Sequence, residues 1–254
     1  MARLAPNAWR VRREPAAAGR PGAELVVKTG PGVADEAAGL RRLARICATS
    51  GGPRVPEVVA ADGELLVTGW VAPGAGTPAG EEELGRALAR LHRVADDGWG
   101  GGSSWIGDCR VDPSPAPDAV GFYGRRLRDL AARCGLEQAV DPVAARLPEL
   151  IPPGPPAPLH GDLWWGNVVW GDDGRPWLID PSVHGGHPEE DLAMLALFGP
   201  VPDRLMGAYR EVRPLDDGWP GRVALWQLYP LLVHTVLFGG GYRAAAVAAA
   251  GRYA

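Results

Sequence analysis

Residues 159–181, LHGDLWWGNVVWGDDGRPWLIDP, decide how this chain reads. Val168-Val169-Trp170 and Pro176-Trp177-Leu178-Ile179 are apolar runs on either side of Gly171-Asp172-Asp173-Gly174. Strand, tight turn and strand follow, because Gly and Asp supply the backbone conformations that a reversal needs. The hairpin folds the chain back, so Asn167 at its start and Asp180 at its end become neighbours. Asp162 sits just before it, in a loop introduced by His160 and Gly161. Two oxygen ligands beside a further carboxylate suit a divalent cation and a hydroxyl that must be deprotonated or aimed. Phosphoryl transfer needs that equipment, since positioning and charge neutralisation do most of its catalysis. The bland alternative is a plain hairpin with Asp162 capping a turn.

Composition bounds the rest. The chain has 254 residues, enough for one or two domains, and at 46% hydrophobic it can bury a proper core. A net charge of −4 gives no general attraction to nucleic acid or to a membrane surface. No long uninterrupted apolar run reads as a transmembrane helix. The opening residues MARLAPNAWRVRRE lack the apolar segment of a secretory signal. Cys47, Cys109 and Cys134 are scattered and odd in number, which fits a reducing cytoplasm. The expectation is a cytoplasmic monomer with no nucleic-acid or membrane partner.

Outward from the hairpin, residues 8–12 and 24–28 read as strands, joined by a turn or loop at 14–22 that is rich in Ala, Gly and Pro. Lys28 closes the second strand, either as a solvated strand end or as a point charge that reaches phosphates. Residues 33–47 have helical periodicity, with Ala37, Leu40, Leu43, Ala44 and Cys47 on one face. Asp35 and Glu36 fall in its first turn, where negative charge suits the helix dipole. Residues 55–61 and 64–69 form a strand pair, and WVAPGAG at 70–76 is a Pro/Gly-rich break. A helix at 81–94 carries a core stripe of Leu84, Ala87, Leu88 and Leu91, and His92 beside it reads as buried or capping. The long Gly/Pro-rich loop at 96–117 is of a kind that is functional or mobile. Helices are expected at 118–134, 142–150, 202–211, 221–238 and 243–253, the fourth apolar nearly all round and therefore central. Pro188 followed by Glu189, Glu190 and Asp191 marks another helix start.

The spacing of His160, Asp162 and Asn167, followed by Asp180 at the end of a hairpin, resembles the catalytic and metal loops of the kinase superfamily. The flanking words narrow this: HGDLWWGN at 160–167, LIDPSVHGGHPEEDLAM at 178–194, LFG at 197–199 and LYPLLVHTVLFGGGYR at 228–243. Together they resemble the fructosamine kinase (ketosamine-3-kinase) family, a relative of the aminoglycoside phosphotransferases, over about residues 9–243. The resemblance implies an α/β (α+β) protein kinase-like fold of two lobes. A small β-sheet N-lobe would span residues 1–70, a hinge 71–76 and a mainly helical C-lobe 77–254, with ATP and Mg²⁺ between the lobes.

It also implies roles. Asp162 would accept or align the proton of the acceptor hydroxyl, and Asn167 and Asp180 would hold Mg²⁺. Lys28 would reach the nucleotide phosphates, oriented by Glu36. Trp70 and Val71 would offer backbone to the adenine. Asp191 would brace the catalytic loop, and Trp105-Ile106-Gly107 would help shape the acceptor side. Trp164 would cover the sugar ring of the acceptor or pack into the core. Trp165 stands where the family has a small residue and would narrow the acceptor pocket. The implied substrate is a small-molecule or protein-bound ketosamine, phosphorylated on a sugar hydroxyl in a deglycating role. The alternatives are an aminoglycoside-type phosphotransferase and a catalytically weak kinase-like binding protein. One departure supports the latter: the family's glycine-rich turn between its first two strands has no counterpart here, since no glycine precedes Gly19. Either the true start lies upstream or the phosphates are poorly covered, because a side chain would hold backbone N–H groups off phosphate oxygens.

Overall fold

The computed structural model describes residues 2–12 and 24–254, so the turn expected at 14–22 lies outside the described residues. Strands β1 (Ala2–Ala5), β2 (Ala8–Arg12) and β3 (Glu24–Thr29) pair antiparallel and lead into helix α1 (Val33–Ser50). Strands β4 (Val58–Ala61) and β5 (Leu65–Gly69) complete a five-stranded sheet in the order β1-β2-β3-β5-β4. The helix lies on this sheet because Val33, Ala37 and Leu40 recur at helical spacing and close over Leu66. It ends at Gly51, whose left-handed backbone (φ 71°) lets its N–H reach the Cys47 carbonyl.

The remainder is mainly helical. Helix α2 (Pro78–Leu91) starts where the Thr77 side chain accepts from the Gly80 N–H at 3.0 Å, with Pro78 in the first turn. The long loop after it holds a short hairpin, β6 (Trp105–Ile106) and β7 (Cys109–Arg110). Helices α3 (Ala119–Cys134) and α4 (Glu137–Leu150) follow. Then come β8 (Ala157–Leu159), β9 (Val168–Trp170), β10 (Pro176–Leu178) and β11 (His184–Gly186). Helices α5 (Glu189–Leu195), α6 (Asp203–Val212), α7 (Trp219–Phe238) and α8 (Gly241–Ala250) close the chain. The apolar helix expected to be central is α7, which packs against α3, α5 and α8 with Leu225, Trp226, Leu228 and Leu232 buried. Among the described residues, no helix is long and apolar enough to cross a membrane.

Several contacts tie the sheet layer to the helical layer, among them three away from the charged groups of the cleft. Leu43 of α1 joins Leu91 and Val183 in a small buried cluster. Asp35, in the first turn of α1, accepts from the Ser104 N–H of the long loop at 2.8 Å. The Pro/Gly break is pinned to the hairpin: the Gly74 N–H donates to the Trp170 carbonyl at 2.7 Å. A Cβ at Gly74 would stand 2.4 Å from the Gly171 carbonyl oxygen, so only glycine permits that approach.

Candidate active site

The β9–β10 hairpin forms in the register that brings its ends together. Trp177 faces Val169 and Leu178 faces Val168, and beyond the ladder the Ile179 N–H donates to the Asn167 carbonyl at 3.0 Å. Asn167 and Asp180 are thereby neighbours. Asp180 is, among the described residues, the non-glycine residue with positive φ, at 56°. Such strain marks a side chain aimed by its surroundings.

The loop before the hairpin is braced from beneath. Both carboxylate oxygens of the buried Asp191 accept backbone N–H groups, from His160 at 2.8 Å and Gly161 at 2.9 Å. Asp191 is held in turn by His92, whose Nε2 lies 3.2 Å from it, while the His92 Nδ1 lies 3.0 Å from the Tyr209 hydroxyl. An imidazole with Nε2–H donating to the carboxylate and Nδ1 accepting from the tyrosine satisfies both contacts. Burial raises the cost of the Asp191 charge, but the His92 contact and the backbone donors outweigh it and hold the carboxyl below its usual range. His160 is fully buried, and burial keeps it neutral by lowering its pKa. Its Nε2 lies 2.9 Å from the Ile179 carbonyl and its Nδ1 faces the Asp162 N–H, so it supports the loop and carries no exposed base.

Gly161 and Gly166 are needed here. Gly161 has φ +81°, and a Cβ on it would meet the Ser182 carbonyl oxygen at 2.0 Å. A Cβ on Gly166 would strike the Trp164 indole at 2.2 Å, because the ring folds back over that glycine.

Asp162 emerges from this loop. The Asn167 side-chain amide donates to its carbonyl at 2.8 Å and to its Oδ2 at 3.2 Å. That commits the amide nitrogen; among the described residues, the amide oxygen receives no hydrogen bond. Burial, reinforced by the charges of Asp180 and Asp191 and opposed by the Asn167 amide, pushes the Asp162 carboxyl up to about 7. Across the cleft, the Lys28 ammonium donates to both Glu36 oxygens at 2.9 Å and to Asp180 Oδ1 at 2.6 Å. Burial disfavours the lysine charge, yet the two carboxylates outweigh it and hold its pKa above the ordinary lysine value. The first-turn glutamate is therefore no mere end effect on α1; it fixes the cation that closes β3.

One cleft of about 560 Å³ gathers the site residues expected from the sequence. Lys28, Glu36, Trp70, Val71, Asp162, Trp164, Asn167 and Asp180 all line it. The Trp70 N–H is engaged by the Glu24 carbonyl at 3.0 Å, while its buried indole N–H has no partner among the described residues. Trp164 is exposed along the cleft and is not core. Trp165 does not line the cleft; it packs against the main helical core.

Other lining residues escaped the sequence reading. The β1–β2 turn brings Leu4, Ala5 and Asn7 over the cleft, and Asn7 is tied to the end of β3 by its side-chain amide donating to the Thr29 carbonyl at 3.1 Å. The sequence signal for that hairpin was Pro6-Asn7, a turn-forming pair between short apolar runs. Trp105, Ile106 and Gly107 of the long loop, which the resemblance did place on the acceptor side, form another wall together with Asp108. Ser103 and Ser182 hold that loop down, both hydroxyls donating to the Trp105 carbonyl.

The comparisons with known proteins agree with this architecture. A family model described as fructosamine kinase matches residues 31–253. A probable ketoamine kinase of Thermus thermophilus is 36% identical over 242 residues, 92% of this chain and 85% of the relative. The solved structure of a candidate fructosamine-3-kinase from Thermobifida fusca is 39% identical, with a TM-score of 0.83 over 91% of this chain and 86% of that one. A choline kinase of Streptococcus pneumoniae, at 13% identity and a TM-score of 0.66 over 100% of this chain and 92% of its own, shares the kinase-like fold alone. With its match running from the end of β3 to the last turn of the chain, this protein belongs to the fructosamine kinase family.

Proposed function

We propose that this protein is an ATP- and Mg²⁺-dependent ketosamine kinase that phosphorylates a sugar hydroxyl, the 3-hydroxyl in the naming of its relatives. The observation that carries the reading is the convergence of Lys28, Glu36, Asp162, Asn167 and Asp180 on one cleft, with the lysine clamped between two carboxylates. In the transfer, the acceptor oxygen bonds to the γ-phosphorus as the bond to the ADP oxygen breaks, and the hydroxyl proton passes to Asp162 or is aimed by it. A carboxylate aimed into the cleft and held by the Asn167 amide is placed for that task. Lys28 places its charge where the phosphates would lie, and Glu36 keeps it there. Trp70 and Val71 form the wall on which the adenine would rest.

The residues fit a magnesium ion. The Asn167 amide oxygen and the half-exposed Asp180 carboxylate are hard oxygen donors, and two protein ligands suit an ion whose other ligands are phosphate oxygens and water. When bound, Mg²⁺ neutralises charge on the transferring phosphate. We assign residues 1–70 to the nucleotide-covering lobe, 71–76 to the hinge and 77–254 to the catalytic and acceptor lobe. Because Gly74 is anchored to the hairpin, hinge motion would fall mainly on the residues before it. Phosphorylation next to the ketosamine linkage destabilises the adduct, which makes removal of glycation products the consistent role.

The test is ATP turnover with Mg²⁺ on a panel of ketosamines and aminoglycosides, beside Asp162→Ala. Ketosamine-dependent turnover is expected, falling about 10²–10⁴-fold in the variant while nucleotide still binds. Turnover with aminoglycosides alone would reassign the acceptor. ATP binding without turnover of any acceptor would point to a binding protein instead.

A further inference from the structure

Exposed aromatic rings are gathered in one place on this protein. Among the described residues, the exposed tryptophan and phenylalanines are Trp164, Phe198 and Phe238, at 38, 40 and 66%. The chain has only 3 phenylalanines, so this patch holds most of them. The rings touch in series. Trp164 meets Phe198 edge to face at 5.8 Å between ring centres, and Phe198 meets His234 at 5.2 Å. His234 then meets Phe238 at 5.7 Å and Tyr242 at 4.9 Å. Single exposed apolar side chains are ordinary, but a contiguous run of them marks a surface with an occupant. Phe238 is the last residue of α7, where a polar side chain would serve the helix as well.

The patch is continuous with the active site at two points. Trp164 lines the large cleft, and His234 lines a separate small hollow of about 20 Å³ that Asp162 also walls. A ketosamine bound for reaction has its sugar at Asp162, and its amine carrier must leave in some direction. The aromatic run begins at the residue next but one to that carboxylate and leads outward over α7 and the start of α8.

Its chemistry is apolar. Burial keeps His234 neutral by lowering its pKa. The neighbouring Arg243 is turned away, donating to the carbonyls of Cys134 and Gly135. A carboxylate-bearing carrier would lose hydration against these rings, with the Arg243 guanidinium already committed to backbone carbonyls. The secondary ammonium that joins sugar to carrier is attracted to ring faces.

We propose that the run from Trp164 through Phe198 and His234 to Phe238 and Tyr242 is the subsite for the amine carrier. It selects ketosamines of aromatic or large apolar amines over those of small or acidic ones. The inference rests on the ketosamine reading above and adds to it which carriers are preferred.

The test compares kcat/KM for the fructosyl and ribulosyl adducts of phenylalanine amide, leucine amide, glycine amide and glutamate. The proteins are the wild type, Phe238→Ser and Phe198→Ala, each checked by thermal melting. The expected wild-type ratio of phenylalanine amide to glycine amide adduct is about tenfold, the scale of partly burying one ring. Both variants should pull that ratio toward one. A flat wild-type profile, or variants that lower every adduct alike, would overturn the subsite and leave the ketosamine reading standing. Sedimentation that turns from dimer to monomer in Phe238→Ser, with the ratio unchanged, would give the patch to a second copy of the chain and overturn the proposal. No turnover of any adduct would sink the ketosamine reading and the subsite with it.

Discussion

At the scale of single residues, what the sequence exposes is chemistry and what it hides is conformation. Asp162, Asn167 and Asp180 could be picked out because a hairpin between polar residues forces proximity whatever the details of packing. Lys28 could not be separated from a solvated strand end by its own neighbours, since its partners lie on α1 and just past the β9–β10 hairpin. The direction of the Trp164 ring was likewise open, because it depends on the missing side chain at Gly166 and on Phe198, which is distant in sequence. Gly161 shows the same limit more sharply. Its positive φ and the Ser182 oxygen above it leave no room for a side chain, yet nothing in HGD announces this. Gly161→Ala should therefore destabilise the protein by roughly 1–3 kcal/mol through backbone strain. It should also lower turnover, because the Asp191 brace acts through the Gly161 N–H. Urea unfolding reads the first effect. An unchanged midpoint would show that the loop can relax away from Ser182.

At the scale of elements, periodicity located nearly every helix, and the errors fell at ends. Helix α2 begins at Pro78, earlier than its apolar stripe suggests, because the Thr77 cap and the proline after it set the start. Helix α4 begins at Glu137 and carries Pro142 within it, so the proline that looked like a start is interior. The strands that periodicity missed are β1, of four residues, and β6, β7, β8 and β11, of two or three each, too short for alternation to register. Helix α5 was legible as a Pro-acid start, but the work of its acids was not. Glu189 is buried and accepts from the Arg222 guanidinium at 2.5 and 2.8 Å and from the Trp226 indole N–H at 2.7 Å, which bolts α5 to α7. Glu189→Ala would leave the Arg222 guanidinium with Asp216 as its remaining carboxylate partner and the indole N–H unsatisfied. The expected cost is about 3–5 kcal/mol, measured as a lower denaturation midpoint with unchanged slope. A loss below about 1 kcal/mol, the range of a surface pair, would mean that the contact adds nothing to helix packing.

At the scale of the whole molecule, the cleft is built from two layers that depend on each other through few direct contacts. The sheet and α1 supply Lys28 and Glu36, and the helical layer supplies Asp162, Asn167 and Asp180. The Lys28–Asp180 contact at 2.6 Å is the charged link inside the cleft, beside the Arg42–Asp96 and Arg54–Asp173 ion pairs, the Asp35–Ser104 hydrogen bond and the Val183 cluster. A nucleotide with Mg²⁺ bound to groups from both layers would bridge them, and ligand that binds only the folded form raises stability by mass action. At one hundred times its dissociation constant the gain is about 2.7 kcal/mol. For a chain of this size that corresponds to a rise in Tm of roughly 5–10 °C. The rise should shrink when EDTA replaces Mg²⁺, because Asn167 and Asp180 would then hold the phosphates through no shared ion. It should also shrink in Asp180→Ala, which removes a proposed metal ligand and its ion pair with Lys28 together. Glu36→Gln separates the two contributions: it weakens the lysine clamp without touching the metal pair, so its melting shift should still depend on Mg²⁺ though less in total. Equal shifts with and without Mg²⁺ in all three proteins would remove Asn167 and Asp180 from the metal role and leave the nucleotide bound by the sheet layer alone.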